Sequence, residues 1–188
     1  MDKKLLWGTL AIFLVLSQFV IFIVDREAWF DTSFSLETVN AMREGKQIDF
    51  AAWDVHPPVF YFSLYYWSFL NPGMSEYHWA QELSVLFGLI FFIFAYLSFS
   101  KLFGKQGEIA IFLLMACSTY VHYGTEPRSY ALILAMSAIL LYCVIRNFEK
   151  GWMTATSLVI AFTFPLVHYY AAAVALSFFG IYIIIKML

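Results

Sequence analysis

Apolar runs separated by short polar segments occupy most of the chain. The runs cover Leu5–Val24, Leu83–Phe103, Ile109–Tyr123, Tyr130–Ile145, Trp152–Val167 and His168–Ile185. A helix needs about 17–25 apolar residues to cross a bilayer, and most of these runs are at or just below that length. The pattern therefore predicts an all-α integral membrane protein with about six transmembrane helices, some of them short.

The first run follows Lys3 and Lys4 and is not followed by a small-residue cleavage motif. It is longer than the apolar core of a secretory leader, so we interpret it as a retained signal anchor. The two lysines indicate a cytoplasmic amino terminus.

A polar segment, Asp25–Trp53, separates the first two runs. Within it apolar residues recur at every third position: Leu36, Val39 and Met42. Thr32 or Ser33 is placed to cap a helix there, and Gly45 is placed to end it. The pattern predicts a surface-lying helix whose apolar face is suited to the bilayer surface.

The aromatic stretch Pro57–Leu70 is too short to be assigned by length, and Asn71-Pro72-Gly73 ends it with a turn. The positions of the basic residues decide the assignment. If the stretch does not span, one side of the membrane holds all of the following: Lys3, Lys4, Lys101, Lys105, Arg146, Lys150 and Lys186. The positive-inside rule favours that arrangement. We therefore expect an external loop over Asp25–Glu82, with its aromatic rings at the headgroup level.

Composition agrees with a membrane location and excludes other classes. The chain is 62% hydrophobic and only 13% charged, with a mean hydropathy of +0.75. A soluble domain of this size carries roughly 25% charged residues. The net charge of −2 gives no basis for nucleic-acid binding. No internal repeat or Gly/Ser linker is present, so residues 1–188 are interpreted as one membrane domain.

The predicted topology collects the reactive side chains on the external face: Asp31, Asp54, His56, Glu126, Arg128 and His168. Asp31 either caps a helix or acts as a general base at the membrane surface. Asp54 and His56 are either solvated loop residues or a pair that shares a divalent cation or binds phosphate. Arg128 either extends to the headgroups or offers a planar guanidinium to a phosphate. His168 is either an interfacial residue or a ligand contact.

Five stretches occur in an order and spacing that resemble a known family: WFDTSFS, DVHPPVFYF, SEYHWAQELSVLFG, HYGTEPRSYAL and VHYYAAAVAL. The chain resembles the amino-terminal half of the GT-C membrane glycosyltransferases over about residues 29–180. The most similar branch is the protein-mannosyltransferase-like family, whose members take sugars from polyprenyl phosphates.

The resemblance implies transfer of a sugar from a polyprenyl-phosphate carrier to a hydroxyl acceptor on the non-cytoplasmic face. The membrane would be the plasma or inner membrane, or that of the endoplasmic reticulum in a eukaryote. Asp31 takes the position of the catalytic base. The implied substrate contacts are Arg128, His56, Glu126, His168 and Gln81. A divalent cation, Mg²⁺ or Mn²⁺, would be held by Asp54 and Glu126. Two positions depart from the family pattern, which has a glutamate at Thr32 and an arginine at Gln81.

Members of that family continue with further spans, whereas this chain ends just after the sixth predicted one. We therefore expect a half-length module, a subunit of a larger enzyme or a fragment. One alternative function is a non-catalytic module that binds a lipid phosphate. A small transporter is a second alternative, but the charged or basic residues of the predicted spans lie at or beside span ends (Lys101, Glu108, His122 and His168), and ion pathways need such groups within the membrane.

Overall fold

A computed structural model describes residues 30–49, 58–70, 75–115, 117–146 and 150–187, together with Gly8. This part of the chain is 85% helical and contains no strand, so the all-helical prediction is confirmed for it. The predicted signal anchor, Leu5–Val24, lies outside the described residues apart from Gly8.

The helices of the described residues follow one another with short connections. They are α1 (Phe30–Arg43), α2 (Val59–Ser68), α3 (Glu76–Phe103), α4 (Lys105–Met115), α5 (Ser118–Thr125), α6 (Ser129–Ile145), α7 (Gly151–Thr163) and α8 (Tyr169–Met187). A single 3-10 turn, Phe164–Leu166, joins α7 to α8 and contains Pro165. Proline at this point has no N–H to donate to the helix and fits a tight turn.

Helix α1 confirms the predicted helix but not its predicted start or surroundings. It ends at Gly45, whose φ of +75° suits glycine and whose N–H donates to Met42 O at 3.1 Å. It begins at Phe30, so Thr32 lies inside the helix and the prediction of a cap at Thr32 or Ser33 is wrong. Leu36 and Val39 are buried in the core, so the prediction that their face meets the bilayer is also wrong. The periodicity identified an apolar face, but the partner of that face is protein.

Helix α2 is formed by the aromatic stretch and is ten residues long. At 1.5 Å per residue it measures about 15 Å, half of the roughly 30 Å that a bilayer core requires. Its length therefore supports the prediction that Pro57–Leu70 does not cross the membrane.

One face of α2 packs on the protein while the other is exposed. Phe60 and Leu64 are buried in the core, and the indole N–H of Trp67 donates to Trp79 O in the first turn of α3 at 2.8 Å. Large apolar side chains cover the opposite face: Phe62, Tyr66, Phe69 and Leu70. This exposed aromatic face agrees with the predicted position at the headgroup level.

Helix α3 is the longest element, with 28 residues. It begins well before the predicted Leu83 because Ser75 caps it, accepting from the N–H of His78 at 3.4 Å. Among the described residues it is the one helix long and apolar enough to cross a bilayer. Core helices of soluble proteins share this length and composition, so the six-span arrangement stays a prediction.

Helices α3 and α4 form a tight antiparallel hairpin. The chain turns at Gly104, which has a φ of +57°, and Ser100 Oγ donates to Glu108 Oε1 at 3.0 Å across the hairpin. Gly107 is buried directly against the backbone carbonyl of Phe99, in a space that a Cβ atom cannot share. The close approach of the two helices therefore depends on glycine at position 107.

We expect Gly107→Ala to destabilise the protein by about 1–3 kcal/mol, because the new methyl group forces the two helix backbones apart. Thermal unfolding should show a midpoint several degrees lower. Gly151→Ala is the matched control, since a Cβ there meets no atom within 4 Å. Equal midpoints for the two variants would contradict the packing described for Gly107.

The predicted run Ile109–Tyr123 is not one helix, which corrects the sequence interpretation. Helix α4 ends at Met115 and α5 begins at Ser118, with Cys117 between them in an extended conformation (φ −70°, ψ 127°). Cysteine, serine and threonine are all poor helix formers, so Cys117-Ser118-Thr119 is a weak point in an otherwise apolar run.

Helices α3 and α6 run parallel and pack along each other. Trp79 and Leu83 share a core cluster with Leu132, while lower along the pair the rings of Phe94 and Tyr142 meet edge to face at 5.4 Å. The bounds of α6 match the predicted Tyr130–Ile145 closely. The parallel packing brings the start of α3, the bend before α6 and α1 to one end of the bundle, and the candidate site lies there.

Candidate functional site

The candidate site is centred on a hydrogen bond between two segments that are 94 residues apart. The hydroxyl of Thr32, in the first turn of α1, donates to Glu126 Oε1 at 2.7 Å. Both side chains are buried, with exposed fractions of 0% and 6%. The bond joins the start of α1, which carries Asp31, to the bend between α5 and α6, which carries Arg128.

The bend itself is fixed by backbone hydrogen bonds on both sides of Glu126. The N–H of Glu126 donates to His122 O at 3.1 Å, and the N–H of Arg128 donates to Glu126 O at 2.8 Å. Arg128 is extended, with φ −137° and ψ 164°, and α6 begins at the next residue. The backbone that carries the side chains of Glu126 and Arg128 is therefore held by hydrogen bonds on both sides of Glu126.

The guanidinium of Arg128 lies over an aromatic ring. Its Cζ is 5.1 Å from the ring centroid of Tyr130, within the range of a cation–π contact. This contact holds a half-buried guanidinium beside the start of α6. A planar guanidinium is suited to bidentate binding of phosphate oxygens.

A series of aromatic rings continues from Tyr130 to α8. The ring of Tyr130 lies 6.3 Å from that of His168, and His168 stacks on Tyr170 at 5.4 Å with an angle of 27° between the ring planes. The backbone N–H of Tyr170 donates to His168 Nδ1 at 3.3 Å, which requires that nitrogen to be unprotonated. The structure therefore brings His168 into the same neighbourhood as Arg128, through Tyr130.

Gln81 lies in the second turn of α3 and is buried, with 2% of its surface exposed. Its Oε1 has no hydrogen-bond partner within the described part of the chain. Helices α3 and α6 are parallel, and Phe94 of α3 meets Tyr142 of α6. Counting the same number of residues back along each helix reaches Gln81 in α3 and Ser129 in α6. Gln81 therefore lies about level with Ser129, beside the bend. A buried amide oxygen in this state costs about 1–3 kcal/mol, which a donor from a ligand would offset.

Three of the predicted site residues are described in part or not at all. The backbone of Asp31 is the second residue of α1, but its side chain lies outside the described part of the structure. Asp54 and His56 lie outside it altogether. Their predicted roles stay predictions.

The described residues alone do not fit a divalent metal. Within residues 30–49, 58–70, 75–115, 117–146 and 150–187, no three His, Cys, Asp or Glu side chains come together as ligands. One oxygen of Glu126 is already bonded to Thr32, whereas Mg²⁺ or Mn²⁺ needs several oxygen ligands. The predicted metal depends on Asp54 and stays a prediction.

The site contains residues that the sequence interpretation did not assign to it. The sequence indicates Thr32 as a candidate helix cap and as a departure from the family pattern, and it assigns no role to Tyr130, which belongs to one of the five family-like stretches, or to Tyr170. Tyr130 could have been found, because it follows Arg128 by two residues and tyrosine rings commonly accept a guanidinium. Nothing local to Thr32 predicts its bond to Glu126.

Comparison with protein-family models, curated proteins and solved structures finds no match to this chain.

Proposed function

We propose that the chain is a helical membrane module that binds a polyprenyl-phosphate-linked sugar at this site and transfers the sugar to a hydroxyl acceptor. The observation that carries the proposal is the contact between Thr32 and Glu126, at 2.7 Å. It supports a site made of the two segments to which the family resemblance assigns the base, Asp31, and the phosphate contact, Arg128.

The chemistry follows from the groups available. The sugar leaves its carrier when the bond from the anomeric carbon to the phosphate oxygen breaks, and the electron pair stays on the phosphate. Arg128, which lies over the ring of Tyr130, stabilises that negative charge. Asp31 takes the proton of the incoming hydroxyl as the new bond to the anomeric carbon forms. Gln81 Oε1 accepts a hydrogen bond from a sugar hydroxyl.

A bilayer setting is supported by the exposed apolar surface of the described helices. Helix α7 exposes Leu158, Val159 and Phe162, and α4 exposes Ile109 and Leu113, with exposed fractions between 51% and 77%. Apolar patches of this kind mark contact with lipid or another protein. The proposal places the site at the external membrane surface, with about six spans and a cytoplasmic amino terminus.

Cysteine labelling tests the topology. Single cysteines at Leu70 and at Lys105, both exposed, should be labelled by an impermeant reagent from opposite sides of the membrane. Exposed Cys117 is first changed to serine to remove background labelling. The cysteine at position 70 should be labelled from outside; its labelling only from the cytoplasmic side would contradict the proposed topology and separate the site residues.

Ligand binding tests the phosphate part of the proposal. The reconstituted chain should retain a polyprenyl phosphate more tightly than the corresponding polyprenol, because only the phosphate can bond to the guanidinium of Arg128. Equal retention of the two lipids would show that the chain binds the hydrocarbon tail alone, and the proposal would fail.

The second candidate function is a binding module that does not catalyse transfer, or a subunit that completes a larger enzyme. Glutamine instead of arginine at position 81 favours it, because a cation next to the leaving phosphate is lost. A chain that retains the phosphate but transfers no sugar would establish this candidate.

A further inference from the structure

Thr32 departs from the family pattern, and the structure indicates what the departure does. Threonine at this position provides a neutral donor to Glu126 Oε1 at 2.7 Å. The residue at position 32 is therefore complementary to the residue at position 126.

The hydroxyl of Thr32, like that of Ser100, donates to a carboxylate outside its own helix, whereas several other hydroxyls of the described helices donate within theirs. Thr38 Oγ1 donates to Phe34 O at 2.9 Å, four residues back in the same helix, and Ser63 and Ser98 do the same in their own helices. Thr32 Oγ1 instead donates to Glu126 Oε1, in the bend before α6, which is a different element of the fold.

We propose that Thr32 is a positioning residue, whose hydroxyl holds Glu126 and so fixes the helix carrying Asp31 against the bend carrying Arg128. This inference rests on the proposed function. Both partners are buried, so water cannot replace the lost bond without opening the contact between α1 and the bend. Thr32 itself touches no reacting atom. It acts by setting the distance between the base, Asp31, and the phosphate contact, Arg128.

The test measures transfer from a polyprenyl-phosphate sugar by the full chain in membranes, together with retention of polyprenyl phosphate. Thr32→Val should lower kcat about tenfold or more, as expected for a lost hydrogen bond to a charged group, with an unchanged KM for the lipid-linked sugar because Arg128 is intact. Thr32→Ser keeps the hydroxyl and should recover most of the rate.

Thr38→Val is the matched control, because Thr38 is on the same helix, is 2% exposed and donates only within α1. It should keep its kcat even if its unfolding temperature falls as far as that of Thr32→Val. Glu126→Gln keeps an acceptor for Thr32 and provides a second variant if Thr32→Val does not fold. Its kcat should stay above that of Glu126→Leu, which removes the acceptor.

The outcomes separate the two claims. If the unmodified chain transfers sugar and Thr32→Val is as active as Thr38→Val, or Glu126→Leu as active as Glu126→Gln, the positioning role of Thr32 is wrong and the proposed function stands. If the unmodified chain transfers nothing, the proposed function fails, and the positioning role fails with it.

Discussion

Asp31→Asn should lower sugar transfer by roughly 10²–10⁴-fold, the usual cost of losing a general acid–base group. Asparagine keeps the size and polarity of aspartate but cannot take the proton of an incoming hydroxyl. Transfer is measured as sugar released from the polyprenyl-phosphate donor onto a hydroxyl acceptor. Retention of the lipid phosphate should stay the same.

The stability of the variant shows that the loss is chemical. Asp31→Asn keeps the shape of the side chain within α1, so it should change the free energy of unfolding by at most about 1 kcal/mol. Asp49→Asn is the matched control, since it makes the same change at an exposed position on the same predicted loop. Full transfer by Asp31→Asn would assign Asp31 to helix stability alone.

Arg128→Ala should weaken retention of a polyprenyl phosphate by roughly 10- to 150-fold. A hydrogen bond to a charged group contributes about 1.5–3 kcal/mol, and each 1.4 kcal/mol is a factor of ten in affinity. Arg128→Lys should recover only part of the affinity, because the ammonium keeps the charge but loses the planar pair of donors. The measurement is lipid retention by the purified chain, with polyprenol as the reference lipid.

Arg43→Ala controls for a general loss of positive charge near the membrane. Arg43 is exposed at the last residue of α1. The bond to the Glu126–Arg128 bend is made by Thr32, near the other end of that helix. Its removal should leave retention within about twofold, as expected for an exposed charge screened by salt. If Arg128→Ala and Arg43→Ala behave alike, the phosphate is bound elsewhere on the chain.

The sequence predicted the parts of the fold that depend on local pattern. The start and end of α6 follow from an apolar run bounded by polar residues, and the end of α1 follows from Gly45 and its left-handed conformation. The break between Met115 and Ser118 was missed because Cys117 is apolar and hydropathy does not measure helix propensity.

The parts that the sequence could not predict depend on tertiary contacts. The apolar residues Leu36 and Val39 show that α1 has a buried side, but periodicity alone does not distinguish lipid from protein as the partner. The bond from Thr32 to Glu126 spans 94 residues, and each residue taken by itself is an ordinary polar side chain near a helix end. Asp31, Glu126 and Arg128 were chosen as site residues by resemblance, and only the folded chain brings their segments together.

The most direct test of the central claim is transfer by the unmodified chain. The purified protein is reconstituted into bilayers with a polyprenyl-phosphate sugar and a hydroxyl acceptor, and both products are measured: free polyprenyl phosphate and glycosylated acceptor. The two products should appear in equal amounts, and both should be greatly reduced in Asp31→Asn. If the folded chain retains the lipid but forms neither product, the proposed transferase activity is contradicted. The second candidate function, a binding module without catalysis, would then stand.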